Sequence, residues 1–205
     1  MLTALSLEQA VAALIQEKII AYPTETFYAV GGLALSPSAA EAVFTAKKRP
    51  DSQPLPIIIG EIEQLPLLAS TISDAAFCLA QTFWPGPLSI LFPAGPLLPR
   101  ELLCASREIA VRLTPHPAAA ELSRRAGPLS ASSANISGSP AITDPALLEP
   151  ELFSHLSGAV ILPPKPGGGL PSTLVRVLDN QELQIIRNGA LDAARLTAAG
   201  WRIVS

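Results

Sequence analysis

A short run of small polar residues is the part of this sequence best suited to chemistry. It spans residues 130–138, follows a short apolar stretch, and contains four serines and one asparagine. Small side chains let a ligand approach the backbone closely, so that hydroxyl, amide and N–H groups converge on it as hydrogen-bond donors. The same residues would also suit a helix cap and turn, in which they bond their own backbone. The composition of the run leaves both interpretations open.

Cationic residues stand where they could attract a phosphate or a carboxylate. Lys47, Lys48 and Arg49 end a predicted helix, and Gln53 precedes the next predicted strand. Arginine offers planar paired donors to phosphate and lysine a compact charge. Basic residues in the last turn of a helix also stabilise its dipole, which is the alternative interpretation. Arg112 ends a predicted buried strand, where its charge requires an anionic partner from a ligand or from the protein.

Further polar residues lie at the ends of predicted strands, where side chains can line a site at the edge of a sheet. They are Thr24, Thr26, Ser172, Thr173 and Arg187. The segment before Ser172, residues 163–171, is rich in proline and glycine. Such a segment is either a surface crossover or a cover over a ligand.

Composition narrows the class of protein. The chain has 205 residues, of which 49% are hydrophobic and 15% charged, which suits one domain over residues 1–205. A net charge of −3 provides no general attraction to nucleic acid, so RNA contact would need a local patch. The two cysteines are far apart, the two histidines are isolated, and no transmembrane run or signal peptide is recognisable. We therefore expect a cytoplasmic globular protein without a metal site.

Helical and strand patterns alternate along the chain. Helices are predicted over residues 6–17, 36–48, 73–83 and 118–125, each of the first three opened by a serine. Strands are predicted over residues 19–21, 55–59, 88–92, 109–113, 129–131, 160–162, 173–178 and 183–187. This order predicts an α/β domain with a twisted, mixed β-sheet flanked by helices.

Taken in order, these segments resemble the YrdC-like family of L-threonylcarbamoyladenylate synthases. The matching stretches are residues 22–28, 47–50, 54–55, 84–88, 111–112, 130–138, 172–173 and 186–187. The resemblance implies a YrdC-like fold and an enzyme that forms threonylcarbamoyl-AMP and pyrophosphate from L-threonine, bicarbonate and ATP. The product serves tRNA threonylcarbamoyladenosine modification. The resemblance also implies Mg²⁺ accompanying ATP, no permanently bound cofactor, tRNA as a further partner, and separate threonylcarbamoyl-transferase proteins.

The resemblance assigns roles to individual residues. Lys47, Arg49 and Arg112 are expected to be catalytic. The residues expected to contact the amino acid are Thr24, Thr26, Arg112, Ser130, Ser172 and Thr173. Those expected to contact ATP are Lys47, Arg49, Gln53, Ser132, Ser133, Asn135 and Arg187. The family pattern is not followed at Ala29, Lys48, Thr114 and Arg176.

Three other functions remain open. A YrdC-like domain could bind tRNA or double-stranded RNA without catalysis. It could transfer carbamoyl groups, as the related domain of hydrogenase-maturation proteins does, although the zinc-finger-like and acylphosphatase-like parts of those chains are missing here. A diverged member could bind nucleotide together with another amino acid. We expect the chain to correspond to the short form of the family, without the extra C-terminal domain of the long form.

Overall fold

A computed structural model describes residues 3–48, 55–103, 106–178 and 181–204. Six α-helices occur in these ranges: α1 (Leu7–Ile15), α2 (Pro37–Lys47), α3 (Asp74–Phe83), α4 (Pro117–Ala126), α5 (Pro150–Phe153) and α6 (Ala193–Ala198). The same ranges contain the strands β1 (Ala4–Leu5), β2 (Ile20–Pro23), β3 (Tyr28–Gly31), β4 (Ile57–Ile59), β5 (Leu88–Pro93), β6 (Glu108–Leu113), β7 (Leu129–Ser130), β8 (Ser132–Ser133), β9 (Ala159–Val160), β10 (Thr173–Val177), β11 (Glu182–Arg187) and β12 (Arg202–Val204). Arg49 and Gln53 lie outside the described residues, so their predicted roles stay predictions.

The strands form two mixed sheets. The first has five strands in the order β1-β9-β2-β3-β8, and the second has seven in the order β12-β11-β10-β5-β6-β4-β7. In the first sheet β2 runs antiparallel to β3 and parallel to β9. In the second, β4 runs parallel to β6 and antiparallel to β7. Because β7 ends at Ser130 and β8 begins at Ser132, the chain crosses from one sheet to the other at Ala131.

Local capping signals determine where the first three helices begin. The Ser6 side chain accepts the Gln9 N–H, and the Gln9 side chain accepts the Ser6 N–H, which together form a capping box. Ser36 caps α2, whose first residue is Pro37, and Ser73 caps α3. These contacts confirm the predicted starts of all three helices.

Two clusters of buried apolar side chains hold the sheets together. The larger includes Val30 of the first sheet, Ile90 of the second, and side chains of α2 and α3. The smaller lies beneath α1 and α4 and includes Tyr22 of the first sheet and Ile58 of the second. Since each cluster takes side chains from both sheets, burial of apolar surface fixes the sheets relative to one another.

The predicted α/β class, mixed strand directions and flanking helices are confirmed. The prediction of a single sheet was wrong, because the short strands on either side of Ala131 belong to different sheets. The sequence patterns also missed β1, β3, β8, β12, α5 and α6, most of which are too short to show a period. In the ranges given above, no helix has the length and apolar character needed to cross a membrane.

Candidate active site

A cavity of about 210 Å³ is lined by residues of both sheets. One wall is a face of the second sheet, which contributes Ile58, Ser89, Arg112, Leu174 and Arg187. The opposite wall comes from the turn after β2, from β3, and from residues 131–133, where the chain passes from the second sheet into the first. Its residues are Thr24, Thr26, Phe27, Tyr28, Ala29, Ala131, Ser132 and Ser133. The two walls differ in chemistry, since the guanidinium groups come from the second sheet and most of the hydroxyls come from the other elements.

The turn between β2 and β3 is closed by the side chain of Thr24. Its hydroxyl donates to the carbonyl oxygen of Phe27 at 2.7 Å and accepts the N–H groups of Thr26 and Phe27. Such side-chain bonds to nearby backbone stabilise a turn. The turn therefore places Thr24 and Thr26 at the cavity, as predicted. The Thr24 hydroxyl already makes hydrogen bonds to the backbone of the turn.

Ser130 joins the two sheets. It is not one of the described residues that line the cavity. Its hydroxyl accepts the N–H of Gly32 at 3.1 Å, and its carbonyl oxygen accepts the Tyr22 hydroxyl at 2.6 Å. The neighbouring Gly31 permits this approach, since a β-carbon there would lie 1.6 Å from the Ser130 carbonyl oxygen. The contacts of Ser130 in this structure are therefore structural, and its predicted contact with the amino acid stays a prediction.

Lys47 lies beneath the serine-rich run. Its side chain is buried, and its ammonium donates to the carbonyl oxygens of Ser133 and Asn135. The Asn135 amide in turn donates to the carbonyl oxygens of Ile136 and Ser139. Lys47 therefore fixes the backbone of the loop whose serines line the cavity, and its predicted contact with ATP stays a prediction.

Arg112 is paired with an acid of the protein. Its Nη1 lies 2.7 Å from Oε1 of Glu25, and both side chains are largely buried. The other oxygen, Oε2, accepts the Thr114 hydroxyl at 2.8 Å. The sequence left open whether the anionic partner of Arg112 comes from a ligand or from the protein. The protein supplies one, Glu25, and the guanidinium of Arg112 still lines the cavity.

Arg187 reaches the cavity because of a β-bulge. The pairing of β10 with β11 shifts between Leu174 and Val175, so that Val175 opposes Ile185 while Leu174 opposes Arg187. Without the extra residue, Ile186 would oppose Leu174 and Arg187 would point to the other face, since side chains alternate along a strand. The bulge therefore places Arg187 in the row of the sheet that contains Leu174 and Ser89.

The two guanidinium groups influence one another electrostatically. Burial lowers the pKa of Arg187, and the positive charge of Arg112 lowers it further. An arginine stays protonated at neutral pH despite such a shift. Arg187 is held in place by its Nε and Nη2, which both donate to the Ser172 carbonyl oxygen. Two guanidinium groups thus line the cavity, and the carboxylate of Glu25 offsets part of the charge of Arg112.

The proline- and glycine-rich segment, residues 163–171, lies against the Thr24 turn. The N–H groups of Gly167 and Gly168 donate to the carbonyl oxygens of Glu25 and Thr26 at 3.1 and 2.7 Å. The Pro164 carbonyl oxygen lies 2.8 Å from Nε2 of His116, which must be the donor because a carbonyl only accepts. The segment ends at Pro171, which lines the cavity. Most of the segment is exposed, so it is a surface crossover, and its hydrogen bonds attach it to the turn beside the cavity.

Seven of the predicted site residues meet at the cavity: Thr24, Thr26, Arg112, Ser132, Ser133, Ser172 and Arg187. Thr173 does not join them, because its hydroxyl is bonded to the backbone carbonyl and N–H of Leu191. Sequence reasoning missed Ser89, which lines the cavity from β5. Ser89 is a polar residue within an apolar strand, and this feature of the sequence could have identified it as a site residue.

The four departures from the family pattern have distinct surroundings. Arg176 is bonded to Glu108 and Gln184, and it is not among the described residues that line the cavity. Thr114 holds Glu25, as described above. Lys48 ends α2 and pairs with Glu151 at the surface. Ala29 is the one departure that lines the cavity.

The part of the chain that the structure describes offers no ready-made site for a metal ion. Among the described residues, no group of three or more histidine, cysteine, aspartate or glutamate side chains could hold one. Glu25, which precedes the cavity-lining Thr26, already contacts Arg112 and Thr114. Residues of this kind fit a metal that arrives bound to a ligand's phosphates rather than one held by the protein.

Two mixed sheets that enclose two arginines and a set of hydroxyls define an α/β protein whose cavity has the chemistry that suits anionic ligands. The chain belongs to the Sua5/YciO/YrdC family, whose model, described as telomere recombination, matches residues 12–189. All the described residues that line the cavity lie within this matched stretch, whereas β1, α6 and β12 lie outside it.

Known proteins are similar over most of the chain. A threonylcarbamoyl-AMP synthase of Bacillus subtilis is 34% identical over 193 residues, which make up 93% of this chain and 55% of that protein. The enzyme of the same name from Pyrococcus abyssi is 44% identical over 129 residues, 62% of this chain and 37% of that protein. The crystal structure of P. abyssi Sua5 complexed with L-threonine superimposes with a TM-score of 0.86 at 31% identity, covering 98% of this chain and 61% of that one. The chain thus spans between 37% and 61% of the length of these relatives.

Proposed function

We propose that this chain is a threonylcarbamoyl-AMP synthase, which joins L-threonine, bicarbonate and ATP and releases pyrophosphate. The observation that carries the proposal is the cavity in which Arg112 and Arg187 face a wall of threonine and serine hydroxyls. The Bacillus subtilis relative that bears this enzyme's name matches the chain over 193 residues, which include the whole stretch that builds the cavity. The solved relative in complex with L-threonine has the same fold.

The chemistry requires several negative charges to meet in one place. The amine of threonine combines with bicarbonate, losing water, to give an N-carboxy species. An oxygen of its new carboxylate attacks the α-phosphorus of ATP, the bond from that phosphorus to the bridging oxygen breaks, and pyrophosphate leaves. Two carboxylates and a triphosphate repel one another, so fixed positive charges and donors lower the barrier chiefly by positioning and charge neutralisation.

The residues divide between the two substrates in this proposal. Thr24, Thr26 and Arg112 would hold the amino acid on one side of the cavity. Arg187, Ser132 and Ser133 would hold the nucleotide, and Ser172 would lie between the two. Arg49, Gln53 and Asn135 are proposed as further nucleotide contacts, and Ser130 and Thr173 as further amino-acid contacts. Lys47 would act on ATP through the loop that its ammonium fixes, which makes it a positioning residue as well as a proposed catalytic one.

The remaining partners are part of the same proposal. Mg²⁺ would arrive with ATP and supply further positive charge at its phosphates, and the protein would hold no permanent cofactor. The product would pass to separate transferase proteins that modify an adenosine of tRNA, and the protein would work in the cytoplasm, where tRNA is. Direct contact with tRNA would require a local basic surface, because the net charge of the chain is −3.

Pyrophosphate release by the purified chain tests the proposal. We expect release from ATP only when L-threonine and bicarbonate are both present. Arg187→Met and Arg112→Ala should each reduce the rate at least about 100-fold, since a fixed donor typically contributes about 3–4 kcal/mol. Arg124→Met is the matched control, because Arg124 pairs with Glu121 on the exposed face of α4 and should leave the rate unchanged.

The outcomes separate the alternatives. Near-normal activity in both cavity variants would overturn the site assignment. Pyrophosphate release that does not depend on threonine but requires another amino acid or a carbamoyl donor would indicate a different substrate on the same fold. A folded chain that binds tRNA in a salt-dependent way and releases no pyrophosphate would favour the non-catalytic RNA-binding alternative.

A further inference from the structure

Ser89 is a buried hydroxyl in the cavity for which the proposed function has no role. It lies on β5, it is only 2% exposed, and it lines the cavity together with Ser172. The two hydroxyl oxygens are 2.9 Å apart. The remaining residues of β5 up to Phe92 are apolar. A polar side chain in such a strand costs stability unless its hydrogen bonds are satisfied.

The hydrogen bonds of this pair can be counted. Nη2 of Arg187 donates to the Ser172 hydroxyl oxygen at 3.2 Å, so that oxygen is an acceptor there. One of the two hydroxyl protons is used between Ser89 and Ser172. Among the described residues, neither hydroxyl has any other hydrogen-bond partner. One proton of the pair is therefore left to donate, and both hydroxyls face the cavity.

Positive charge surrounds this donor. The row of the second sheet that contains Ser89 also contains Leu174, which pairs with Ser89 on one side and with Arg187 on the other. On the opposite side of β5, Ile90 pairs with Val111 of β6. Because the two strands are antiparallel, Ser89 and Arg112 are the next residues along this pairing and lie beside one another. A hydroxyl donor between two guanidinium groups is complementary to an oxygen of an anion.

We infer that the Ser89–Ser172 pair is an oxyanion-binding subsite, in which Ser89 supplies or orients the hydroxyl that donates to a carboxylate or phosphate oxygen held between Arg112 and Arg187. The inference rests on the proposed function for the identity of its ligands, which would be the carboxylate of the amino acid or a phosphate of ATP. Ser89 would then determine affinity for one of these substrates through a single hydrogen bond.

Ser89→Thr and Ser89→Val provide a matched pair, because the two side chains have nearly the same shape and only threonine retains a hydroxyl. Binding of L-threonine, of MgATP and of inorganic pyrophosphate is measured separately by calorimetry. We expect Ser89→Val to bind at least one of these ligands about 10-fold or more weakly than Ser89→Thr, as for loss of a bond to a charged group. The ligand affected identifies the anion as a carboxylate or a phosphate.

Ser123→Ala controls for the loss of a buried hydroxyl as such. Ser123 is fully buried and donates to Gln64 at 2.9 Å, and it is not among the cavity-lining residues described. It should lower stability without changing the affinity for any of the three ligands. Equal affinities in the threonine and valine variants, or an equal loss in Ser123→Ala, would overturn the inference.

Failure of the proposed function would be recognised separately. A wild-type chain that binds one of the three ligands but releases no pyrophosphate loses the proposed function, while the comparison of the two Ser89 variants remains decisive for the subsite. A folded wild-type chain that binds none of the three overturns both.

Discussion

Arg112 and Glu25 form an ion pair in which both side chains are largely buried, with Nη1 and Oε1 2.7 Å apart. The pair links β6 to the turn that carries Thr24 and Thr26. Its geometry has two consequences: Glu25 fixes the direction in which Arg112 points, and it offsets part of the charge that a ligand encounters. Stability and ligand binding at this position are therefore coupled, and removing either partner alone will change both.

We expect Arg112→Met to lower the free energy of unfolding by about 3 kcal/mol, because it leaves the carboxylate of Glu25 buried without its cation. The double variant Arg112→Met with Glu25→Gln should recover most of that stability, because no unpaired charge remains. Pyrophosphate release should stay at least about 100-fold below wild type in both. Urea unfolding together with the activity assay checks the prediction. A double variant as unstable as the single one would show that the ion pair is not the cause.

Lys47 and Lys48 are neighbours whose substitution should lower stability by different amounts. Lys47→Met should lower the free energy of unfolding by about 1–3 kcal/mol, because the carbonyl oxygens of Ser133 and Asn135 lose a buried donor. Lys48→Met is the matched control, since Lys48 and Glu151 are both mostly exposed and such pairs contribute about 1 kcal/mol or less. Thermal and urea unfolding of the two variants distinguishes them. Similar losses in both would contradict the positioning role of Lys47.

The attachment of residues 163–171 to the Thr24 turn can be tested at one bond. His116→Ala removes the donor to the Pro164 carbonyl oxygen and should open the segment more often. We expect amide hydrogen exchange at Gly167 and Gly168 to accelerate about fivefold, corresponding to roughly 1 kcal/mol. Lys165→Met, which removes the exposed ion pair with Asp144, should change exchange by less than about twofold. If exchange in His116→Ala matches that of wild type, the bond does not hold the segment.

Arg176 and Glu108 give a pH-dependent contribution away from the cavity. Hydrogen bonds from Arg176 hold the pKa of Glu108 below its usual range, with a smaller contribution from Ser106, although burial opposes them. A carboxyl whose pKa is lower in the folded state stabilises the fold above its unfolded-state pKa, and that stabilisation is lost as the pH falls through the folded-state pKa. The loss of stability in Arg176→Met should therefore be larger at about pH 7 than at an acidic pH at which Glu108 is protonated, because the bond of Arg176 to Gln184 does not depend on pH.

Two further measurements accompany the Arg176 variant. Arg202→Met removes an exposed cation paired with Glu182, so its effect on stability should be about 0.5 kcal/mol or less at either pH. Pyrophosphate release by Arg176→Met should stay within about twofold of wild type, because Arg176 contacts Glu108 and Gln184. A large loss of activity would connect this position to the site after all.

The sequence predicted the elements whose causes are local. Ser6, Ser36 and Ser73 each cap a helix through a bond to a residue three positions away, so the signal lies within a few residues. The division into two sheets depends on pairing between Val30 and Ser132, which lie about a hundred residues apart. No local pattern encodes such a pairing, and β7 and β8 have two residues each, too few to show an alternation.

The candidate site was predicted in its residue types and less well in its contacts. Ser130 and Thr173 belong to the right segments, yet their hydroxyls are bonded to the backbone of Gly32 and Leu191. Which serine faces a cavity depends on strand register, and a shift of one residue exchanges the two faces. The bulge that turns Arg187 inward and the pairing of Arg112 with Glu25 both arise from contacts distant in sequence.

The bonds that hold residues 163–171 also bear on how this segment can change during evolution. The N–H groups of Gly167 and Gly168 and the Pro164 carbonyl oxygen make these bonds, and any residue supplies a carbonyl while any residue except proline supplies an N–H. Gly168 and Gly169, with φ of 70° and 80°, are the restricted positions, since few other residues adopt such angles. Random libraries of this segment selected for growth should therefore keep glycine or asparagine at these two positions and diverge freely at exposed positions such as Leu170.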